Sequence, residues 1–270
     1  MTIGIFDSGL GGLSVLKEIV TTLPHYDYVY LGDNARAPYG GRSAERIYEF
    51  TRQGVEFLFE KGCAVVILGC NSASADALRR LQQEWLPTTY PDRRILGVII
   101  PAAQEVAQHY ADKKIGVIGT RATVESGAYG REMEKSMGGP ARIEQVACPL
   151  LVPLIEEGWE KTVPAKMIVK KYLRALKSKQ ISVLVLGCTH YAFVKDIIGR
   201  IMGENVVIID PGVCAARALK IYLEKYPDIE SRLEKGGACH IYSTDMSERI
   251  RHLAQRFWKA PLSIERVSIE

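Results

Sequence analysis

The chain has 270 residues, 47% of them hydrophobic and 24% charged, with a net charge of +4. That is enough length for one large or two modest domains, and the balance is that of a globular protein rather than a disordered one. The basic residues form no dense run, so nucleic acid is not an expected partner. The longest apolar stretch, Val146 to Ile155, is broken by two prolines and too short to cross a membrane.

In chain order, a first strand at Ile3–Phe6 runs into Asp7-Ser8-Gly9-Leu10-Gly11-Gly12. The glycines permit a tight turn, but without a Walker lysine or GxGxxG spacing nucleotide binding is rejected. Asp7 either caps the next helix or belongs to a site. Leu13, Leu16, Ile19, Val20 and Leu23 make a helical stripe that Pro24 ends. A second strand, Tyr28–Leu31, is followed by a polar loop from Asp33 to Arg42 that includes Pro38, Tyr39 and Gly40. It is longer than a minimal turn needs, and such loops on a rigid sheet often carry function. A helix over Ser43–Lys61, a strand over Ala64–Gly69, Cys70, and a helix over Ala73–Glu84 come next. Leu86–Arg94 reads as a loop, and Ile95–Ile100 as a strand that crosses to a second lobe at Pro101.

The second lobe starts with a helix at Ala102–Ala111 and a strand at Ile115–Ile118. The following Gly119-Thr120-Arg121-Ala122-Thr123 places hydroxyls either to bind an anion or to cap a helix. After a break at Gly138-Gly139-Pro140 come a short strand, Arg142–Ala147, and an irregular apolar loop, Cys148–Gly158, that carries Glu156 and Glu157. A helix from Pro164 to about Lys177 leads to strand Ser182–Gly187 and then Cys188-Thr189-His190. A helix over Phe193–Met202 and a strand over Asn205–Ile209 close the lobe, and Asp210-Pro211-Gly212 marks the return crossing. The tail (helix Val213–Tyr226, a charged link, strand Ala238–Tyr242, helix Met246–Trp258 and a short last strand) is expected to complete the first sheet. The expected division is 1–97 plus 211–270 for the first lobe and 98–210 for the second.

One motif occurs twice. Val65-Val66-Ile67-Leu68-Gly69-Cys70-Asn71-Ser72 is matched, 118 residues on, by Val183-Leu184-Val185-Leu186-Gly187-Cys188-Thr189-His190. Each is a strand buried on both faces, ending in Gly-Cys before a helix, where open α/β sheets bind ligands. Ile3-Gly4-Ile5-Phe6 and Ile115-Gly116-Val117-Ile118 repeat in the same order at an offset of 112. Two similar α/β lobes with mainly parallel sheets, related by a pseudo-twofold axis, would face each other with one thiol on each wall. That arrangement suits inversion at carbon: a base removes a proton from one face and a like acid returns one to the other. A helix N-terminus is expected to lower the thiol pKa toward the working range. None of the six cysteines forms a CxxC pair, and no signal peptide is evident, so a reduced, cytoplasmic setting is expected.

These residues resemble glutamate racemase, a cofactor-independent member of the aspartate/glutamate racemase superfamily. The matching segments are Asp7 to Gly12, Asp33 to Gly40, Gly69-Cys70-Asn71-Ser72-Ala73-Ser74, Gly119 to Thr123, Pro153-Leu154-Ile155-Glu156, and Gly187-Cys188-Thr189-His190-Tyr191. The resemblance implies interconversion of L- and D-glutamate, with the active site between two lobes. Cys70 and Cys188 would be the acid/base pair, while Asp7, Glu156 and His190 assist proton movement or tune the thiols. Ser8, Pro38, Tyr39, Gly40, Asn71, Ser72, Thr120, Thr123, Thr189 and His190 would hold the substrate, with Asp7 beside them. No cofactor and no metal are implied, a homodimer is usual, and the role implied is supply of D-glutamate for peptidoglycan. Ser72 stands where the family motif usually has Thr. His190 favours glutamate over aspartate, because aspartate racemases typically carry Glu at that point of the motif. The N-terminal extension of precursor-activated members is not seen, so that regulation is not expected. Besides a related amino-acid racemase acting on aspartate, three other readings remain at this point. One is acyl transfer by Cys188 with His190. Another is a two-lobed amino-acid binding protein. The third is a Zn site built from Cys70, Cys188 and His190.

Overall fold

The computed structural model describes residues 1–259 and 261–269. Its strands are β1 (Thr2–Asp7), β2 (Tyr28–Gly32), β3 (Cys63–Leu68), β4 (Arg94–Gly97), β5 (Ile115–Gly119), β6 (Ile143–Ala147), β7 (Val183–Gly187), β8 (Val207–Ile209), β9 (Cys239–Ser243) and β10 (Ile264–Arg266). They form two sheets, one in the order β10-β9-β2-β1-β3-β4 and one in the order β6-β5-β7-β8. Every pairing is parallel. Parallel strands need crossover connections, and those helices cover both faces. That is why β1, β3, β5 and β7 read as unbroken apolar runs and are almost wholly buried.

The two sheets share a plan. The run β2-β1-β3-β4 of the first matches β6-β5-β7-β8 of the second, so the strand ending at Cys70 and the strand ending at Cys188 hold equivalent places. The register agrees as well: Ile3 lies beside Val65, and Ile115 beside Val183. The tail joins the first sheet, with β9 pairing along β2 and β10 along β9. The helix Pro211–Lys225 packs against both Leu13–Thr22 and Ile99–Tyr110. One apolar core runs through both halves, taking in Ile5 and Leu16 from one and Leu186, Val194 and Ile198 from the other.

Several elements differ from the sequence expectation. The expected strand Ile95–Ile100 stops at Gly97, and a helix begins at Ile99 with Pro101 in its first turn. The expected loop Cys148–Gly158 contains the helix Leu151–Glu156, with Pro153 in the same position. The first N–H groups of a helix have no intrahelical acceptor, so a proline there loses nothing. The expected helix Ala73–Glu84 begins earlier, at Asn71, ends a first segment at Asp76, and turns into a π-helical stretch at Leu81–Trp85. Short helices at Leu86–Thr89 and Pro227–Glu230 occupy the two other stretches read as loop or link. Among the described residues no helix is long and apolar enough to cross a membrane.

Candidate active site

The same local device delivers both thiols. Cys70 is the extended residue ahead of the helix Asn71–Asp76, and Cys188 the extended residue ahead of a 3-10 turn, Thr189–Val194. Both face one small cavity, about 40 Å³ in volume. The first half lines it with Ser8, Pro38, Tyr39, Gly40, Cys70, Asn71 and Ser72, and the second with Thr120, Glu156, Cys188, Thr189 and His190. Two expected residues do not reach the cavity wall. Thr123 stands behind it and joins the hydroxyl cluster, 3.1 Å from the Thr120 Oγ1 and 3.4 Å from the Ser72 Oγ. Asp7 is fully buried beneath the turn, where one carboxyl oxygen accepts from the Gly9 N–H and the other has no partner among the described residues.

The halves meet closely here. Ser72 and Thr120 bridge them with a hydroxyl contact of 2.9 Å. Gly11 faces Thr189 and His190, and a Cβ there would lie 2.4 Å from the His190 Nδ1. A Cβ at Gly40 would lie 2.6 Å from that of Thr120. Glycine at these two points is what allows the cleft to close. The loop that brings Pro38, Tyr39 and Gly40 to the cavity is fixed by buried Asp33, which accepts hydrogen bonds from the Tyr39 hydroxyl, Arg36 and Thr244. Arg36 in turn lies 4.3 Å over the Phe50 ring. The sequence reading gave Asp33 no role, although its place at the head of a long polar loop was a usable signal. Val152 also lines the cavity, and nothing in the sequence marked it.

The two thiols have different company. The Cys70 Sγ donates to the Ser8 hydroxyl at 3.4 Å. The Cys188 Sγ is 3.9 Å from the His190 Nδ1, and the His190 Nε2 is 3.1 Å from the Glu156 carboxylate. Glu156 is further held by Arg249 at 3.5 Å, whereas Glu157 points outward to the same arginine at 2.6 Å.

Lowered thiol pKa values were expected from the helix N-termini, and here the structure corrects the sequence reading. Burial pushes Cys70 up to about 11, and the charge of Asp7 adds to it, against weaker pulls from Ser8 and the Ala73 N–H. Burial pushes Cys188 up further, and only the His190 N–H opposes it. Desolvation of a thiolate in a closed cavity outweighs two or three backbone dipoles. Burial also raises Asp7. For Glu156 burial works in the same sense, but the His190 hydrogen bond and the charges of His190, Arg249 and Arg256 outweigh it and hold the carboxyl below its ordinary value. Among the described residues no cluster of three His, Cys, Asp or Glu side chains is arranged to hold a metal ion, so the Zn reading has no geometric support.

Two topologically equivalent sheets, each presenting a thiol to a shared closed cleft, define a class of two-lobed α/β proteins. The chain belongs to the Asp/Glu/Hydantoin racemase family, whose model matches residues 3–219. It is 42% identical over 253 residues to a glutamate racemase of Aquifex aeolicus, covering 94% of this chain and 92% of that one. Among solved structures it is similar to a glutamate racemase isoform of Bacillus anthracis, with a TM-score of 0.89 and 32% identity, covering 99% and 97% of the two chains. A glutamate racemase of Francisella tularensis in complex with D-glutamate gives a TM-score of 0.88 at 32% identity, with the same coverage. An aspartate racemase of Picrophilus torridus shares the fold at a TM-score of 0.55 and 17% identity.

Proposed function

We propose that this chain is an isomerase that interconverts L- and D-glutamate by a two-base mechanism, with Cys70 and Cys188 as the acid/base pair. The observation that carries this reading is the pairing of two thiols, from equivalent strands of two like sheets, in the lining of one cavity. One thiolate takes the α-proton from one face of the bound amino acid while the opposing thiol gives its proton to the other face. The product leaves with inverted configuration, and the two sulfurs have exchanged protonation states. A racemase must serve both enantiomers, so the two groups have to be chemically alike.

The raised thiol pKa values fit this demand. A desolvated thiolate is scarce but strongly basic, and the α-proton is very weakly acidic. The substrate's own ammonium, once inside, favours the thiolate by charge. Ser72, Thr120, Thr189, Asn71 and backbone N–H groups supply the hydrogen bonds that steady the developing carbanion through its carboxylate, in a site from which water is largely excluded. His190 and Glu156 orient and tune Cys188, and Asp7 acts on Cys70 from behind. His190 also favours glutamate over aspartate, in keeping with the far higher identity to glutamate racemases. We place the lobes at 1–97 plus 211–270 and 98–210, in keeping with the membership of the two sheets. Supply of D-glutamate for peptidoglycan, a cytoplasmic location and a homodimer are part of the same proposal, as the resemblance to glutamate racemases implies. The half-exposed Leu150 and Trp159 are side chains of the kind a subunit interface covers.

The test is purified protein with L-glutamate in D₂O, following circular dichroism and α-proton loss together, with aspartate in parallel. Decay of optical activity with deuterium entering the α-position is the expected result. Unchanged signals with glutamate, or faster turnover of aspartate, would overturn the reading.

A further inference from the structure

We propose that Tyr129 is a positioning residue for substrate binding: it holds the Asn71 side chain with its amide hydrogens toward the cleft, and it does so only while the two lobes are together. The inference deepens the function proposed above and rests on it. Tyr129 is the second residue of the helix Ala128–Met137, in the second lobe, and is completely buried. Asn71 follows Cys70 in the first lobe and lines the cavity. The Tyr129 hydroxyl donates to the Asn71 Oδ1 at 2.7 Å across the boundary between them. Gly187, just ahead of Cys188, makes room for this reach, because a Cβ there would lie 3.1 Å from the edge of the tyrosine ring.

The bond decides what Asn71 can offer. A carboxamide is nearly symmetric in shape but opposite in character at its two ends, so a freely rotating Asn presents donor or acceptor with little preference. With the Oδ1 engaged by Tyr129, the Nδ2 is the end of the side chain left for the cavity that Asn71 lines. Asn71 then donates to a carboxylate oxygen and does not accept from the ammonium. Burial raises the phenol pKa well above its usual value, so the hydroxyl stays a donor throughout the working range. Because the two residues belong to different lobes, the amide is fixed when the cleft closes and released when it opens. The same contact therefore couples closure to recognition of the carboxylate.

The experiment is a double-mutant cycle of wild type, Tyr129→Phe, Asn71→Ala and the double variant, with kcat and KM for glutamate and thermal melts for each. Loss of one buried hydrogen bond predicts that Tyr129→Phe raises KM about three- to tenfold, with a smaller change in kcat. On the Asn71→Ala background the same substitution should change KM by less than about twofold, because the two residues act through one contact. An unchanged KM, or an equal loss on both backgrounds, would overturn the proposal. Should Tyr129→Phe melt too early to assay, the wild-type protein decides: the ¹⁵N side-chain resonance of Asn71 should shift on addition of D-glutamate, and its failure to move refutes the donor role. Wild-type turnover separates the two levels. Absence of glutamate racemisation removes the functional reading itself, whereas normal turnover with a flat cycle removes only the role of Tyr129.

Discussion

Glu156→Gln is the substitution that most directly probes the unequal support of the two thiols. The variant keeps the shape of the side chain and removes its charge, so His190 loses an ionic partner at 3.1 Å. Hydrogen bonds to charged groups contribute about 1.5–3 kcal/mol. Glu156 is 27% exposed and shared with Arg249, so solvent screening brings the expected cost to about 1–2 kcal/mol, or roughly 5- to 30-fold in rate. Only Cys188 is within reach of His190, and Cys70 is paired with Ser8 instead. The loss therefore falls on whichever half of the reaction uses Cys188 as the base. The equilibrium constant between enantiomers is unity, so kcat/KM must fall by one factor in both directions. The primary isotope effect need not be the same for both. The assay is initial-rate circular dichroism with α-protonated and α-deuterated L- and D-glutamate. Proton removal by Cys188 should become more rate-limiting, so the isotope effect rises for one enantiomer and not for the other. Equal isotope effects for both enantiomers, or a loss under twofold, would falsify the assignment of His190 and Glu156 to Cys188 alone.

Four further outcomes are expected. Cys70→Ser and Cys188→Ser should each lower racemisation by at least about 10³-fold, since a hydroxyl is a far poorer acid/base partner than a thiol; a variant within tenfold of wild type excludes that residue from proton transfer. Because burial lifts Cys70 to about 11 and Cys188 higher still, the fraction of thiolate grows with pH across the neutral range. In consequence kcat/KM, which reports the free enzyme, should still be climbing above pH 8; a plateau reached below pH 7 contradicts the burial argument. Burial also raises Asp76, to about 6 from 3.8. Its ionisation then opposes folding, with a cost that sets in as pH rises through the unfolded value and is complete above the folded one. Asp76→Asn should stabilise the protein by about 1 kcal/mol at pH 7, after discounting for partial exposure, and by nothing near pH 3; thermal melts at the two pH values decide it.

What could be read from the sequence follows from how locally each feature is determined. The strands beneath the site were legible because a parallel strand buried on both faces is a continuous apolar run, and β3 and β7 carry that signature with their cysteines attached. The elements that went unrecognised share one cause. Pro101 and Pro153 read as interruptions, yet both sit in the first turn of a helix, where a missing N–H is harmless. The second of these helices carries Glu156, so the segment read as an irregular loop is a short rigid support for the His190 partner. The direction of the thiol shifts was misjudged for a different reason. The helix N-terminus is a local feature, visible at Asn71 and Thr189, whereas burial is a sum over residues scattered along the whole chain. Asp33 holds Tyr39 directly but is itself held by Thr244, more than two hundred positions away. Tyr129 lay in a stretch with no motif at all.

The placement of β9 along β2 bears on how the chain acquires its structure during synthesis. The strands of the second sheet all lie between residues 115 and 209, while the first sheet draws on residues 2 to 97 and again on 239 to 266. The N-terminal ammonium is itself held by Glu234 and by the Arg232 carbonyl. The half made first is thus the half finished last. Until β9 emerges from the ribosome, β2 is an open strand edge, ready to pair with the wrong neighbour. Meanwhile the inserted half can already fold on shorter-range contacts. Translation therefore leaves the Cys188 wall standing before the Cys70 wall, and premature termination between residues 210 and 239 yields a chain with one complete sheet and one adhesive edge.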